Sequence, residues 1–241
     1  MNQWDRKDIV VIRWIASKLC QKTVTLTEQS CQDYQKKFHL GNDRVSYIYN
    51  WIDLDVPHSE NYDIQSKRIV SAGRFGKEKG FDQLIHAFAP VAKQHPDWQL
   101  DIFGDGEMMD EVKHLIELYH LERQVNLMGM RKDLTQRYRD YAMYVLPSYR
   151  EGLPLVLLEA KANRLPIVSF DIMTGPREIV RDGVDGILVP PKDIKALGEA
   201  MCRLIEDDVL RQSMSERSQE NIQKFSKGEI LKQWEKILNV M

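Results

Sequence analysis

VLPSYREGLPLVLLEAKANRLPIVSFDIMTGPRE, residues 145–178, is the stretch that decides the fold of this chain. It contains an apolar run, a loop with Glu151, and a second apolar run that begins at Pro166. The pattern predicts a buried strand, a loop, and a helix that begins near Pro154, since proline is tolerated in the first helical turn. Glu159 falls inside that helix. Acids at the carboxyl end of a parallel strand, beside a helix N-terminus, can contact a polar ligand in the crevice there.

From Arg68 onward, apolar runs alternate with amphipathic segments, which is typical of a parallel sheet with helices on both faces. Strands are predicted near residues 68–73, 99–103, 124–128, 142–146, 166–170 and 186–189. Helices are predicted near 80–94, 107–120, 132–139, 155–163, 175–181, 194–207 and 209–224. The sequence therefore predicts an α/β fold with a Rossmann-like parallel sheet.

Composition and charge exclude several classes of protein. The 241 residues, of which 43% are hydrophobic, suffice for one good core and part of a second. A formal net charge of −2 gives no overall basic field that would attract nucleic acid. The three cysteines have no metal-ligand spacing, so we expect reduced thiols in a cytoplasmic protein. Charged residues at 5–8 interrupt any signal peptide, and no apolar run nears the roughly 20 residues that span a bilayer.

The deciding stretch carries a family resemblance. The matching residues are Pro147-Ser148, Glu151-Gly152, Pro154, Glu159-Ala160, Pro166 and Gly175-Pro176-Arg177-Glu178. Together they resemble the retaining glycosyltransferases of the GT-B fold, in particular glycosyltransferase family 4. The similarity begins near Val24 and continues in the family's order to the C-terminus. It implies a donor-binding C-terminal domain, preceded by the end of an N-terminal domain.

The N-terminal residues extend this resemblance. Helices are predicted at 4–21 and 30–38, and short strands at 23–26 and 45–49. The resemblance implies a truncated remnant of a second, acceptor-side Rossmann-like domain in 1–52, a linker in 53–66, the nucleotide-sugar domain in 67–225, and a crossing helix in 226–241. In the family that last helix packs on the N-terminal domain. We therefore expect an exposed apolar face here, and with it self-association or a partner chain.

Residues 72–80, AGRFGKEKG, follow the first strand of the predicted sheet and open a helix. They resemble the family's Gly-Arg…Lys-Gly signature, in which an arginine and a lysine hold the donor diphosphate. The resemblance places Gly73 at the nucleotide sugar and gives Arg74 and Lys79 catalytic roles, because fixed cations stabilise the growing charge of the leaving group. Lys77 is a rival for the role of Lys79. Solvated lysines are the alternative, but cations at a helix start oppose its dipole.

The two glutamates receive different roles from the resemblance. Glu151 is the catalytic candidate at the donor sugar, and Glu159 is the carboxylate that takes the two ribose hydroxyl groups, a task its two oxygens suit. The apolar neighbours of Glu159 favour a half-buried position over an exposed helix surface. The backbone amides that would face the sugar and phosphate at the helix N-terminus belong to Gly152, Leu153, Leu155 and Val156.

The nucleobase is expected beside the end of the third strand of the sheet, where Met130 and Arg131 are candidates by position. Residues 103–107, FGDGE, look like a phosphate loop. The family uses this place as a turn between strand and helix, so we interpret it as structural. The Thr-Gly-Pro form of residues 174–176 resembles members that build bacterial surface polysaccharides from UDP-hexoses.

Two positions leave local questions open. Arg177 would reach either a phosphate or a neighbouring acid, Glu178 or Asp171. Arg164 stands where the family usually ends the helix with glycine, a residue that adopts a positive φ without strain. We expect Asn163 to shift into that role.

The N-terminal helix has basic residues beside tryptophan and isoleucine. A helix of this kind can lie on an anionic membrane, and a lipid-linked acceptor would bring the protein to the inner face of the membrane. The interpretation that we favour is a helix packed on a core with its charges outside.

Three functions fit these residues. The first is a retaining hexosyltransferase that moves a hexose from a nucleotide sugar, most simply UDP-linked, to a glycan or lipid-linked acceptor. It would need no metal cofactor, because cationic side chains and helix dipoles would replace the ion. The second is a donor-binding half that is inactive without a partner chain. The third is a nucleotide-sugar epimerase, which lacks its expected additional acid and histidine here.

Overall fold

The structure is a computed structural model that describes residues 6–54 and 62–239. Its N-terminal part consists of helix α1 (Lys7–Leu19), strand β1 (Thr23–Thr25), helix α2 (Glu28–Phe38) and strand β2 (Val45–Tyr47). The two strands pair in parallel and form a small sheet of their own. These elements confirm the predicted ones to within a few residues. The start of the predicted first helix, half of the predicted linker (residues 55–61) and the last two residues of the chain lie outside the described ranges.

The main sheet has six parallel strands. They are β3 (Arg68–Ala72), β4 (Gln99–Phe103), β5 (Val125–Gly129), β6 (Met143–Leu146), β7 (Ile167–Phe170) and β8 (Gly186–Val189). Their spatial order is β5-β4-β3-β6-β7-β8, so the direction of strand addition reverses between β3 and β6. This is the order of a doubly wound Rossmann-like sheet, whose ligands bind at the reversal, the topological switch point. The predicted fold class is confirmed.

Helices cover both faces of this sheet. The helices of this part of the chain are α3 (Phe81–Gln94), α4 (Met109–Leu118), α5 (Leu134–Arg137), α6 (Leu155–Ala162), α7 (Pro176–Ile179), α8 (Ile194–Glu206), α9 (Asp208–Arg217) and α10 (Lys227–Leu238). Alternate strand residues face opposite sides. Ile69 and Val168 pack in one core with α3, α4 and α8, whereas Val70 and Ile167 pack in the other with α6 and α7.

The helix predicted for residues 209–224 is in fact two elements. Helix α9 ends at Arg217, and Ile222–Phe225 form a separate 3-10 turn. The break follows Ser218, which is fully buried and whose hydroxyl donates to the carbonyls of Ser215 at 2.8 Å and Lys161 at 3.3 Å. Side-chain bonds of this kind compete with helix continuation.

The expectation that Asn163 adopts the left-handed conformation is wrong. Asn163 has φ −94°, and Arg164 itself takes the left-handed conformation at φ 63°. Asn163 is buried, and its side-chain amide donates to the carbonyl of Glu159 at 2.9 Å, which holds it in the helix. The chain thus ends α6 without glycine, although a left-handed residue other than glycine costs roughly 1–2 kcal/mol.

Both terminal helices of the described chain expose apolar side chains. In α1 only Ser17 is buried, so the expected packing of this helix on a core is not found. Its exposed large apolar residues are Val11, Ile12, Trp14, Ile15 and Leu19. In α10, Ile230 is buried, whereas Leu231, Trp234 and Leu238 are exposed, so the apolar face expected there is present. Within the described ranges, no helix combines the length and the apolar character that a membrane crossing requires.

Candidate functional site

Two loops meet at the switch point of the sheet, one after β3 and one after β6. Lys79 in the first loop donates from Nζ to Oε1 of Glu151 in the second, at 2.8 Å. The lysine side chain is 24% exposed and the glutamate side chain 9% exposed. Both residues were catalytic candidates from the sequence, and the tertiary structure brings them into direct contact at the place where such sheets bind ligands.

Gly80 allows the two loops to come this close. Its φ is 68°, and a β-carbon there would lie 2.2 Å from the carbonyl oxygen of Pro147. Only glycine fits such a position, because it has no β-carbon and adopts a positive φ without strain. The loops are joined a second time by Tyr149, whose amide donates to the carbonyl of Glu78 at 2.8 Å. The backbone on both sides of Lys79 is therefore fixed.

The turn at residues 103–107 supports the loop after β3. The amide of Gly73 donates to the carbonyl of Phe103 at 3.0 Å. Gly104 has φ 135°, and a β-carbon there would lie 1.8 Å from the carbonyl oxygen of Gly73. These protein contacts support the structural interpretation of the turn, and they hold Gly73 at the rim of the crevice.

Arg74 lies apart from the Lys79–Glu151 pair. Its side chain is 70% exposed and bonded to Glu78 at 2.9 Å. This hydrogen-bonded ion pair raises the pKa of the guanidinium and lowers the pKa of the Glu78 carboxyl group. Of the two lysines that competed for the second cationic role, Lys77 is exposed, whereas Lys79 contacts Glu151.

Helix α6 begins directly after the loop that carries Glu151. Pro154 precedes the helix and forms no side-chain hydrogen bond to its first turn. The amides of Leu155 and Val156 have no acceptor within the helix, because first-turn amides precede the i−4 ladder, and they can bind an anion. Gly152 is exposed, whereas the side chain of Leu153 is buried, so only its backbone could face a ligand.

Glu159 lies in the second turn of α6 and is half-buried, as expected. Its Oε2 accepts a hydrogen bond from the hydroxyl of Tyr138 at 3.2 Å. Burial raises the pKa of Glu159, and the hydrogen bond from Tyr138 partly opposes this shift. A carboxylate has further lone pairs for a ligand. Sequence reasoning missed Tyr138, which lies in a segment whose pattern indicated only an amphipathic helix.

The turn before α7 closes the β7 side of the site. The hydroxyl of Thr174 donates to the backbone carbonyl of Glu151 at 2.5 Å and so helps to position that residue. Arg177 forms an ion pair with Asp171, one of the two acids that the sequence left open. The Thr-Gly-Pro pattern drew attention to this turn, but nothing in it indicated the bond from Thr174 to Glu151.

Glu178 connects the N-terminal part to the site. Its carboxylate accepts hydrogen bonds from the amides of Glu28 at 3.0 Å and Gln29 at 3.4 Å, at the start of α2. An acid is favourable at a helix N-terminus. A side-chain atom of Leu26 lies 3.8 Å from the position that a β-carbon of Gly152 would occupy. The N-terminal part thus forms a wall of the crevice, which the sequence did not indicate.

Met130 and Arg131 follow β5, the edge strand of the sheet. The side chain of Met130 is 80% exposed, and Arg131 is bonded to Asp133 at 3.0 Å. β4 separates β5 from β3. Among the described contacts, none connects these two residues with Lys79 or Glu151. They share the carboxyl edge of the sheet with the site, but they lie along it rather than at its centre.

Comparison with known proteins identifies the family. The model of the glycosyl transferases group 1 matches residues 57–221. An exopolysaccharide phosphotransferase of Streptomyces coelicolor is 39% identical over 216 residues, which cover 89% of this chain and 23% of that protein. An uncharacterized glycosyltransferase of Haemophilus influenzae is 33% identical, with 94% of this chain and 63% of that protein covered. A poly(ribitol-phosphate) alpha-N-acetylglucosaminyltransferase of Staphylococcus aureus is 29% identical, with 90% of this chain and 43% of that protein covered. The chain therefore spans between 23% and 63% of these relatives' length.

Solved structures agree with this assignment. A mutant of S. aureus TarM in complex with fondaparinux, alpha-GlcNAc-glycerol and UDP has a TM-score of 0.91 at 26% identity, with 99% of this chain and 48% of that chain covered. The pneumococcal O-GlcNAc transferase GtfA, in complex with UDP and GlcNAc, has a TM-score of 0.86 at 25% identity, with 97% of this chain and 48% of that chain covered. A GtfA/B complex shares the fold, with a TM-score of 0.83 at 23% identity; 96% of this chain and 48% of that chain are covered. Since the family model covers most of its length, this chain belongs to the glycosyl transferases group 1, and its main sheet is a Rossmann-like sheet of their GT-B fold.

Proposed function

We propose that this chain carries the donor-binding side of a retaining glycosyltransferase of family 4. In this proposal it transfers a hexose from a UDP-linked donor to a glycan or lipid-linked acceptor in bacterial surface polysaccharide synthesis. The observation that carries the proposal is the contact between Lys79 and Glu151 at the switch point, beside the first-turn amides of α6. UDP in the two related structures supports the choice of base, and the poly(ribitol-phosphate) relative supports a surface polymer.

Each side chain has a chemical task in this proposal. When the bond between the anomeric carbon and the diphosphate breaks, negative charge grows on the diphosphate. Lys79, Arg74 and the amides at the start of α6 stabilise that charge, so the reaction needs no metal ion. Glu151, held by Lys79 and by the hydroxyl of Thr174, lies at the donor sugar.

The remaining candidates hold the nucleoside. Glu159 accepts hydrogen bonds from the two ribose hydroxyl groups through the lone pairs that Tyr138 leaves available. The backbone of Gly73, Gly152 and Leu153 lines the sugar and phosphate. Met130 and Arg131 provide the wall for the base at the carboxyl edge of the sheet.

A second candidate function is that of a donor half that needs a partner chain for transfer. The exposed apolar residues of α1 and α10 support it. A GtfA/B complex offers a precedent among proteins of the same fold. Sedimentation of the purified chain tests the self-associating form of this idea, which a monodisperse monomer would contradict.

Calorimetric titration without metal tests the principal proposal. The ligands are UDP, GDP and ADP, followed by the sugar derivatives of the nucleotide that binds. We expect UDP and a UDP-hexose to bind, since the site offers cations for a diphosphate and a carboxylate for a ribose. Preferential binding of GDP or ADP would overturn the choice of base, and binding of none of them would overturn the donor site.

Replacement of Glu159 by glutamine is expected to change nucleotide binding and stability in opposite directions. UDP affinity should fall by about 1–3 kcal/mol, because the ribose loses a hydrogen bond to a charged acceptor. The melting temperature at neutral pH should rise. Because burial raises the pKa of Glu159 above its ordinary value of 4.5, the charged group destabilises the fold above that raised pKa. This destabilisation disappears as the pH falls through the raised pKa, so the difference between the proteins should shrink in acid.

The matched control is Glu117→Gln, a replacement of an exposed acid on α4. It should leave UDP affinity unchanged and alter the free energy of unfolding by no more than about 0.5 kcal/mol. Unchanged UDP affinity in the Glu159 variant would rule out the ribose role.

A further inference from the structure

A cluster of three side chains of the types that ligate metals lies at the opposite edge of the main sheet from the candidate donor site. His95 directly follows α3, and Cys202 and Glu206 lie one turn apart on α8. One ligand atom from each of the three falls within 4.8 Å of the others. His95 and Glu206 also line a groove of about 330 Å³, together with Lys67 and Trp98. These last two residues directly precede β3 and β4, so the cluster lies at the amino edge of the sheet.

Close packing of α3 against α8 brings the three residues together. Gly198 in α8 lies so near to α3 that a β-carbon there would be 2.9 Å from the carbonyl oxygen of Ala87. His95, just after the end of α3, lies eight residues beyond Ala87, and Glu206, the last residue of α8, lies eight residues beyond Gly198. The two helices therefore end side by side. A helix C-terminus carries partial negative charge, so both ends favour a cation at this place.

One nitrogen of the His95 imidazole has no hydrogen-bond partner among the described residues. Its Nε2 lies 3.2 Å from Oε1 of Glu206, which is within ion-pair distance. The same nitrogen is buried and has no hydrogen-bond partner among the described residues, so the direction of this contact does not suit a hydrogen bond. The backbone of His95 is fixed, since its amide donates to Val91 at 2.8 Å and its carbonyl accepts from Trp98 at 3.0 Å. A buried polar atom without a partner is costly, and a metal bond would satisfy it.

We propose that His95, Cys202 and Glu206 bind one zinc ion that clamps the end of α3 to α8. Nitrogen, thiolate and carboxylate are all ligands of Zn²⁺, and a water from the groove completes the tetrahedron. Tetrahedral bonds to zinc place ligand atoms about 3.3–3.6 Å apart. Rotation of Glu206, whose side chain is 59% exposed, can bring its carboxylate to these distances from the other two ligand atoms. The ion stabilises the helix pair and takes no part in glycosyl transfer.

Cobalt substitution tests this site without any assay of transfer. The chain is treated with a chelator, dialysed, and titrated with Co²⁺ and then with Zn²⁺. We expect a near-ultraviolet thiolate-to-cobalt charge-transfer band that Zn²⁺ displaces, and a rise in melting temperature with Zn²⁺, because an ion that binds only the folded state stabilises it. Cys202→Ser should abolish the band, and Glu206→Gln should weaken Zn²⁺ binding and reduce the rise in melting temperature.

Two matched variants control for adventitious binding. Cys20→Ser removes an exposed thiol remote from the cluster in sequence, and Glu199→Gln removes an exposed acid from the same helix. Both should keep the band and the thermal stabilisation. Absence of the band in the unaltered chain, its survival in Cys202→Ser, or an equal loss in Cys20→Ser would each overturn the proposal. If Cys202→Ser does not fold, the comparison of Glu206→Gln with Glu199→Gln tests the site instead. Equal Zn²⁺ affinity in those two variants would overturn the proposal.

Discussion

We expect replacement of Asp185 by alanine to lower the free energy of unfolding by about 3–5 kcal/mol, because it leaves a buried cation without its counter-ion. Asp185 and Lys161 are both fully buried, and Nζ of Lys161 lies 2.9 Å from Oδ2 of Asp185. Burial lowers the pKa of Lys161 to about 8, and the neighbouring Asp185 opposes this shift. In the variant, the carbonyl of Ile179, at 2.9 Å from Nζ, remains as a described partner of the ammonium group.

The same replacement also removes two further hydrogen bonds. Asp185 accepts from the amide of Arg181 at 2.9 Å and from Nε of Arg181 at 2.6 Å. Asp185 thereby joins α6, through Lys161, to the segment that follows α7. Since α6 also carries Glu159, this buried pair anchors the helix on which the proposed ribose contact depends.

Urea denaturation at neutral pH measures the effect. Asp110→Ala is the matched control, because that side chain is 97% exposed and its loss should change stability by less than about 0.5 kcal/mol. The double variant Lys161→Met, Asp185→Ala should recover part of the loss, since no unpaired charge then remains in the interior. A loss below about 1 kcal/mol in Asp185→Ala would contradict the role assigned to this pair.

Replacement of Lys79 by methionine is expected to weaken UDP binding by about 1.5–3 kcal/mol, or roughly 10- to 150-fold. The reason is that Lys79 is the cation fixed at the switch point, held at 2.8 Å from Glu151 between two loops. A fixed, partly buried charge interacts with a diphosphate more strongly than a solvated one does, because water screens the solvated charge.

Lys77→Met provides the matched control for this prediction. Lys77 lies on the same short turn but is exposed, so its loss should leave UDP affinity nearly unchanged. Calorimetric titration of both variants with UDP compares them directly. An equal loss of affinity in both would mean that the turn attracts phosphate by its overall charge, and the specific role of Lys79 would be wrong.

Hydrophobic patterning was sufficient to place the strands of the main sheet to within one or two residues. Strands covered on both faces form nearly continuous apolar runs, and such runs as Ile167–Phe170 need no knowledge of their neighbours to be found. Patterning was less informative where a single side chain ended an element. The bond from Ser218 to Lys161 at the end of α9 depends on a partner elsewhere in the fold. The bond from Asn163 to Glu159, which leaves the left-handed turn to Arg164, is local, but a hydrophobic pattern does not record side-chain hydrogen bonds.

The candidate site was predictable in its residue types but not in its contacts. A resemblance over the whole chain pointed to Arg74, Lys79, Glu151 and Glu159. It did not indicate that Lys79 pairs with Glu151 while Arg74 pairs with Glu78 on the surface. Nor did it indicate Tyr138 as the donor to Glu159, since nothing in an amphipathic segment distinguishes one buried tyrosine as a hydrogen-bond donor.

The sequence by itself determined most of the helices and strands of this protein and its α/β class, because these depend on local periodicity, and its family resemblance named the candidate residues of the site. Only the tertiary structure decided which of those residues meet. Lys79 reaches Glu151 because β3 and β6 are neighbours and Gly80 admits the close approach of their loops. His95 reaches Cys202 and Glu206 because Gly198 lets α8 approach α3. Contacts between residues so distant in the chain follow from strand order and backbone spacing, which no local pattern records.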